Sequence, residues 1–201
     1  MGYGEKERMR ITFIGGDGYV GLITAVGFAR LGHDVVAVDI NEKSVASLSA
    51  GTSPIHEAGL DVALKAVLAD RNVRFTTSAD DGVPGAQIVF VTVGTPPHPD
   101  GTPDLSALRA VAADLGRTLD ANAVVAIKST IPVGSLGEMQ STFAGLSSPG
   151  VELVASHECL SEGLSPPRFR PPQPHRCRRD IRPRRQRCVS CTRRSSMVAS
   201  S

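Results

Sequence analysis

Short apolar runs and amphipathic stretches alternate along the first 165 residues of this 201-residue chain. "MRITFIGG" is an apolar run closed by glycine and predicts a buried strand. "YVGLITAVGFARL", residues 19–31, carries apolar residues on most faces and predicts a helix packed closely on a sheet, with Gly32 at its C-terminal end. "HDVVAVD" predicts a second strand ending at Asp39, and "NEKSVASLSAG" a helix capped by Asn41 and closed by Gly51. "AGLDVALKAVLAD" reads as a helix, "VRFTT" as a strand, and "AQIVFVTVG" as a strand covered on both faces. "DLSALRAVAADLGRTL", with Asp104 near its start, reads as an amphipathic helix. It is followed by strand "AVVAIKST", helix "VGSLGEMQSTFAGL" and strand "VELVAS". Strands alternating with helices imply right-handed crossovers, and so an α/β doubly wound parallel sheet of about six strands.

The pattern stops near Ser165, and charge changes with it. The first 165 residues hold eleven Lys and Arg against nineteen acids, whereas residues 166–201 hold eleven Arg against Asp180 alone. The overall net charge of +2 is therefore an average over two unlike parts. Residues 10–165 read as one domain, and 166–201 as an Arg/Pro-rich tail without periodicity, expected to be disordered. The body is acidic and gives no reason to expect nucleic acid. Its single Cys159 suits a reducing compartment. The chain lacks an apolar run of the roughly 20 residues that cross a membrane, and its first ten residues lack a signal core. A cytoplasmic location is the expectation.

"IGGDGYVG" joins the first strand to the first helix. Gly16, Gly18 and Gly21 make G-x-G-x-x-G, with Tyr19 and Val20 inside it. One glycine permits a tight turn, the next lets backbone approach a pyrophosphate, and the third lets helix and strand close up. The helix N-terminus supplies amide donors. Asp39 ends the second strand, placed to accept hydrogen bonds from ribose hydroxyls and to repel a 2′-phosphate. The cofactor expected is NAD rather than NADP. A second parse, Gly15, Gly18 and Gly21, has the G-x-x-G-x-x-G spacing of short-chain dehydrogenases and epimerases. Their Tyr-x-x-x-Lys pair is missing, because Tyr3 and Tyr19 are followed four residues later by Glu7 and Ile23. Asp17 is unusual in either parse: an acid beside a pyrophosphate is unfavourable unless it points to solvent.

"GDGYVGL", "LGHDVVAVDIN", "SPIHEAGL", "VFVTVGTPPHPDGTPDLSAL", "KSTIPVG" and "ECLSEG" occur in this order. Together they resemble the N-terminal domain of the UDP-glucose/GDP-mannose dehydrogenase family, over residues 10–165. The resemblance implies oxidation of a UDP-sugar C6 alcohol to a carboxylate, with two hydrides passing to two NAD⁺ through a cysteine thioester. It implies that Gly16, Gly18, Tyr19, Val20 and Gly21 hold the pyrophosphate and Asp39 the adenosine ribose. The family's lysine five residues after this acid is replaced by Ser44, which leaves Lys43 to make that contact. Thr95 would line the nicotinamide, and Thr130 would orient a water or polarise the reacting oxygen. Glu158 and Glu162 would be the two acids of the last motif, serving proton transfer, with Glu162 also near the cofactor. Ser156, His157 and Cys159 depart from that motif, and the glycine loop is one residue longer than usual. Cys159 does not match the family's nucleophile, which belongs to a second domain.

The resemblance ends where the basic tail begins. The expectation is a dehydrogenase truncated after its first domain by a shifted reading frame, without the dimerisation helix, the sugar-nucleotide domain or the catalytic cysteine, and weakly active or inactive. A non-catalytic NAD-binding fragment is the alternative. The gene sequence around the Ser165 codon tests the frame: no family-like sequence in a shifted frame would refute it. Eleven arginines in the tail suit phosphate contacts, but Phe169 is its sole aromatic residue, which argues against single-strand binding. "CVSC" has C-x-x-C spacing, but His175 and Cys177 are too close together to complete a zinc knuckle, so no metal is expected.

Overall fold

Twelve elements alternate along the computed structural model, which describes residues 8–132, 134–145 and 150–156. They are β1 (Arg10–Ile14), α1 (Tyr19–Arg30), β2 (Asp34–Val38), α2 (Glu42–Ser49), α3 (Leu60–Ala69), β3 (Val73–Thr76), α4 (Ala79–Gly82), β4 (Ile88–Val91), α5 (Ser106–Thr118), β5 (Val124–Ile127), α6 (Ser135–Gly145) and β6 (Glu152–Ala155). The strands form one sheet in the order β3-β2-β1-β4-β5-β6, and every pairing is parallel. This is the doubly wound arrangement expected from the alternation. The basic tail lies outside the described residues.

The alternating side chains of each strand divide the core in two. Ile11, Phe13, Val35, Phe90, Ala126 and Val154 face one side, where they meet Leu22, Ala25, Val26 and Ala29 of α1 and Leu64 and Val67 of α3. Val36, Val38, Val89, Val91, Val125, Ile127 and Leu153 face the other, against Leu108, Ala112 and Leu115 of α5 and Met139 of α6. Both faces are covered, so the strands read as nearly continuous apolar runs.

Local signals set the element ends. Asn41 caps α2: its side chain accepts from the Ser44 amide at 3.3 Å. Gly32, with φ +91°, follows Leu31, the C-cap of α1, in a left-handed geometry that a β-carbon disfavours. Asp104 Oδ1 accepts from the Ser106 amide at 2.8 Å and so starts α5 two residues after the acid. The four-residue α4 has no counterpart in the sequence reading, and β4 is shorter than its apolar run.

Thr12, on the central strand, is fully buried, and its hydroxyl donates to the Gly82 carbonyl at 2.6 Å. Valine there keeps the shape but strands the carbonyl, at a cost of about 2 kcal/mol. Thr12→Val is expected to lower the Tm by roughly 4–8 °C, with Thr12→Ser much nearer wild type, read by thermal circular dichroism.

Candidate functional site

The order of strands reverses between β1 and β4, so the loops that follow them part and open a crevice at the carboxyl edge of the sheet. The glycine loop enters this crevice from β1. The amides of Gly15 and Gly16 both donate to the Val38 carbonyl, at 3.0 and 3.1 Å, and fix the loop against the end of β2. Gly15 has φ +85°, so the left-handed turn falls there, one residue before the first glycine of the G-x-G-x-x-G parse. Gly16 serves packing instead: a β-carbon on it would lie 2.7 Å from that of Ala37. Gly18 is the N-cap of α1, and a β-carbon there would meet nothing nearer than 3.7 Å. Gly21 lies in the first turn of α1, with the Gly15 carbonyl oxygen 2.2 Å from where its β-carbon would be.

The Leu22 amide is the one that closes on the Gly18 carbonyl, at 2.8 Å, so the amides of Tyr19, Val20 and Gly21 belong to the helix end that faces the crevice. Tyr19 and Val20 are half-buried, and the Tyr19 hydroxyl donates to Glu57 Oε2 at 3.3 Å.

Thr92, which the sequence reading passed over, joins this loop to β4. Its hydroxyl lies 2.8 Å from the carbonyl oxygens of both Ile14 and Gly15. A threonine in an apolar run looks like any strand former, so no sequence signal marked it.

Asp39 stands one residue past β2, half-buried. Its Oδ2 accepts from the Asp17 amide at 3.2 Å and its Oδ1 from the Asn41 amide at 3.0 Å. Burial raises its pKa above the ordinary carboxylate value, and the neighbouring Asp17 side chain adds to the rise. Asp17 does not simply point to solvent: it is half-buried, and its Oδ2 accepts from Asn41 Nδ2 at 3.4 Å. Lys43 is exposed on the first turn of α2.

Thr95 and Thr130 come together across the ends of β4 and β5. The Thr95 hydroxyl donates to the Thr130 carbonyl at 2.9 Å, and Thr130 is itself exposed. Beside them the Ser129 hydroxyl donates to the Val93 carbonyl at 2.5 Å. Lys128, buried, reaches the Ser156 carbonyl with Nζ at 3.4 Å and so links the ends of β5 and β6. Glu158 and Glu162 lie outside the described residues.

A diphosphate and a ribose thus have complementary groups in one crevice: a glycine turn with room at Gly18, the amide-bearing end of a twelve-residue helix, and an acid at the tip of the next strand. Residues 9–165 match the model of the UDP-glucose/GDP-mannose dehydrogenase family, NAD binding domain. This chain belongs to that family. The matched region is its NAD-binding domain, and NAD is its cofactor. The short-chain dehydrogenase alternative receives no support from these matches.

Among curated relatives, UDP-glucose 6-dehydrogenase of Rhizobium meliloti (strain 1021) is 39% identical over 166 residues, covering 82% of this chain and 38% of that protein. UDP-glucose 6-dehydrogenase AglM of Haloferax volcanii is 38% identical over 165 residues, covering 78% and 38%. The solved structure of a UDP-glucose dehydrogenase from Pyrobaculum islandicum superposes with TM-score 0.75 at 34% identity, covering 81% of this chain and 39% of that one. The chain thus spans well under half the length of these relatives. Among the described residues no helix is long and apolar enough to cross a membrane.

Proposed function

We propose that residues 10–165 form the coenzyme-binding domain of a cytoplasmic NAD-dependent enzyme that oxidises the C6 alcohol of a UDP-sugar to a carboxylate. NAD supplies the hydride acceptor. Gly18, Tyr19, Val20 and Gly21 hold the pyrophosphate on backbone amides, and Asp39 accepts from the adenosine ribose. Lys43 approaches the same ribose from α2. Thr95 borders the nicotinamide, and its hydrogen bond to the Thr130 carbonyl ties the loop after β4 to the end of β5. Thr130 then presents its hydroxyl to the reacting oxygen or to a water. Glu158 and Glu162 complete the proton-transfer set of the family motif. The sugar-nucleotide contacts and the nucleophilic cysteine of the thioester route belong, by resemblance, to a second domain beyond the matched region. Residues 166–201 are not assigned to the coenzyme domain. Nucleic acid is not a partner in this reading, and the family's dimerisation helix belongs, by resemblance, beyond the matched region.

The observation that carries the reading is the joining of loop and acid. The Asp17 amide, inside the glycine loop, donates to Asp39 at 3.2 Å, so the pyrophosphate and ribose groups form one continuous surface. Titration of the full chain with NADH, followed by calorimetry, tests it. Asp39→Ala removes a charged acceptor whose hydrogen bond is worth about 1.5–3 kcal/mol, so the dissociation constant should rise roughly 10- to 100-fold. Absence of heat with either NAD⁺ or NADH at millimolar concentration would defeat the proposal. Sustained NADH production from UDP-glucose separates a catalytic chain from a binding-only one.

A further inference from the structure

The coenzyme reading leaves Asp17 unexplained. An acid in a loop that receives a diphosphate opposes its own ligand, and yet Asp17 is not turned away. Asn41 ties it to Asp39 and to α2 through three hydrogen bonds, one of them to Asp17 itself. The Asn41 amide donates to Asp39, its Nδ2 donates to Asp17, and its Oδ1 accepts from the Ser44 amide and so anchors the group to α2. The Asp17 amide closes the ring by donating to Asp39 Oδ2. Two carboxyl groups from different elements are thereby fixed side by side at the ribose end of the crevice. The raised pKa of Asp39, due first to burial and then to the Asp17 side chain, agrees with that proximity. Tyr19, Ser44, His56 and Glu57 share with Asp17 a cavity of about 420 Å³.

We propose that Asp17 is a second specificity-determining residue of the coenzyme site, holding a negative charge beside Asp39 that rejects coenzymes phosphorylated on the adenosine ribose. The inference rests on the coenzyme reading above. Asp39 is the direct acceptor for the ribose hydroxyls; Asp17 acts by charge alone, against any added phosphate. A 2′-phosphate carries close to two negative charges at neutral pH. A carboxylate about 6 Å from such a group in a solvated crevice would weaken its binding by about tenfold. The two acids therefore discriminate separately, and loss of Asp17 is felt while Asp39 is intact.

Equilibrium titration of the full chain with NADH and with NADPH, by the fluorescence of the reduced coenzymes, measures this. Asp17→Asn has the same shape, keeps the backbone amide that supports Asp39, and removes only the charge. It is expected to narrow the preference for NADH over NADPH by about tenfold, or to bring NADPH binding into range where the wild type shows none at millimolar concentration. NADH should also bind more tightly, by less than NADPH gains, because the same charge opposes the pyrophosphate. Asp39→Asn should instead weaken NADH binding. Asp17→Ser provides a second neutral variant, and circular dichroism confirms that each is folded. A preference for NADH that is unchanged in both folded Asp17 variants overturns the inference while leaving the coenzyme site standing. Failure of the wild type to bind NADH overturns both.

Discussion

A single methyl group added at Gly21 is expected to abolish coenzyme binding and to lower the Tm by roughly 6–12 °C. The added carbon would sit 2.2 Å from the Gly15 carbonyl oxygen and 2.8 Å from Thr92 Oγ1. Neither neighbour can retreat cheaply. Gly15 is backbone pinned to the end of β2, and the Thr92 hydroxyl is bonded to the same carbonyl. Helix α1 must move off the sheet or the loop must break its link to β4, at about 3 kcal/mol. Gly18→Ala separates the two effects. Its new carbon meets only the Gly15 carbonyl oxygen, at an ordinary contact distance of 3.7 Å, so the Tm should hold, while the methyl group occupies the approach of the pyrophosphate and binding should fall. Thermal melts and NADH titration of both variants provide the check. A Gly21→Ala protein that melts with wild type and binds NADH contradicts the described packing.

Phe13→Ala should be the most damaging core substitution in β1. Phe13 is fully buried on the central strand, stacks on Phe90 with ring centroids 4.9 Å apart, and meets Phe28 at 6.1 Å. Truncation leaves a cavity between α1 and the sheet that β1, hydrogen-bonded on both edges, cannot collapse to fill. Such changes cost about 3–5 kcal/mol. Urea denaturation should show a lower midpoint with an unchanged slope. Phe28 lies at the rim and is half-buried, so Phe28→Ala should cost less.

The fold was legible because its signals were redundant. Apolar runs of strand length, each separated by a helix-length stretch, allow little besides a parallel sheet. Asn41, Gly32 and Gly51 marked ends that the structure also closes. Helix α4 was not legible: "ADDG" is one turn, too short for any period, and its cap at Ser78 depends on a local bond to the Asp81 amide. At the tip of the 86–94 run the Thr92 amide still donates to the Ile14 carbonyl, but its hydroxyl turns to the Ile14 and Gly15 carbonyls, a tertiary preference that composition does not express.

The site was legible in its residue types more than in its register. Spacing alone allowed the loop to begin at Gly15 or at Gly16, and only the left-handed φ of Gly15 decides where the turn falls. Asp39 was marked by its place after a strand. Its contact with Asp17 joins residues 22 positions apart and leaves no periodic trace. Thr95 and Thr130 were each readable as strand-end residues, but their mutual contact was not.

The central place of β1 has a consequence during biosynthesis. Of the six described strands it is made before the others, yet one of its two neighbours, β4, arrives late: Arg10 and its partner Gln87 are 77 positions apart. At ribosomal rates of about 5–20 residues per second, that edge of β1 stays bare for roughly 4–15 s while the chain emerges. An uncovered apolar edge is a template for pairing with other nascent chains. The strand that carries the glycine turn is therefore also the one most in need of chaperone cover before the crevice exists.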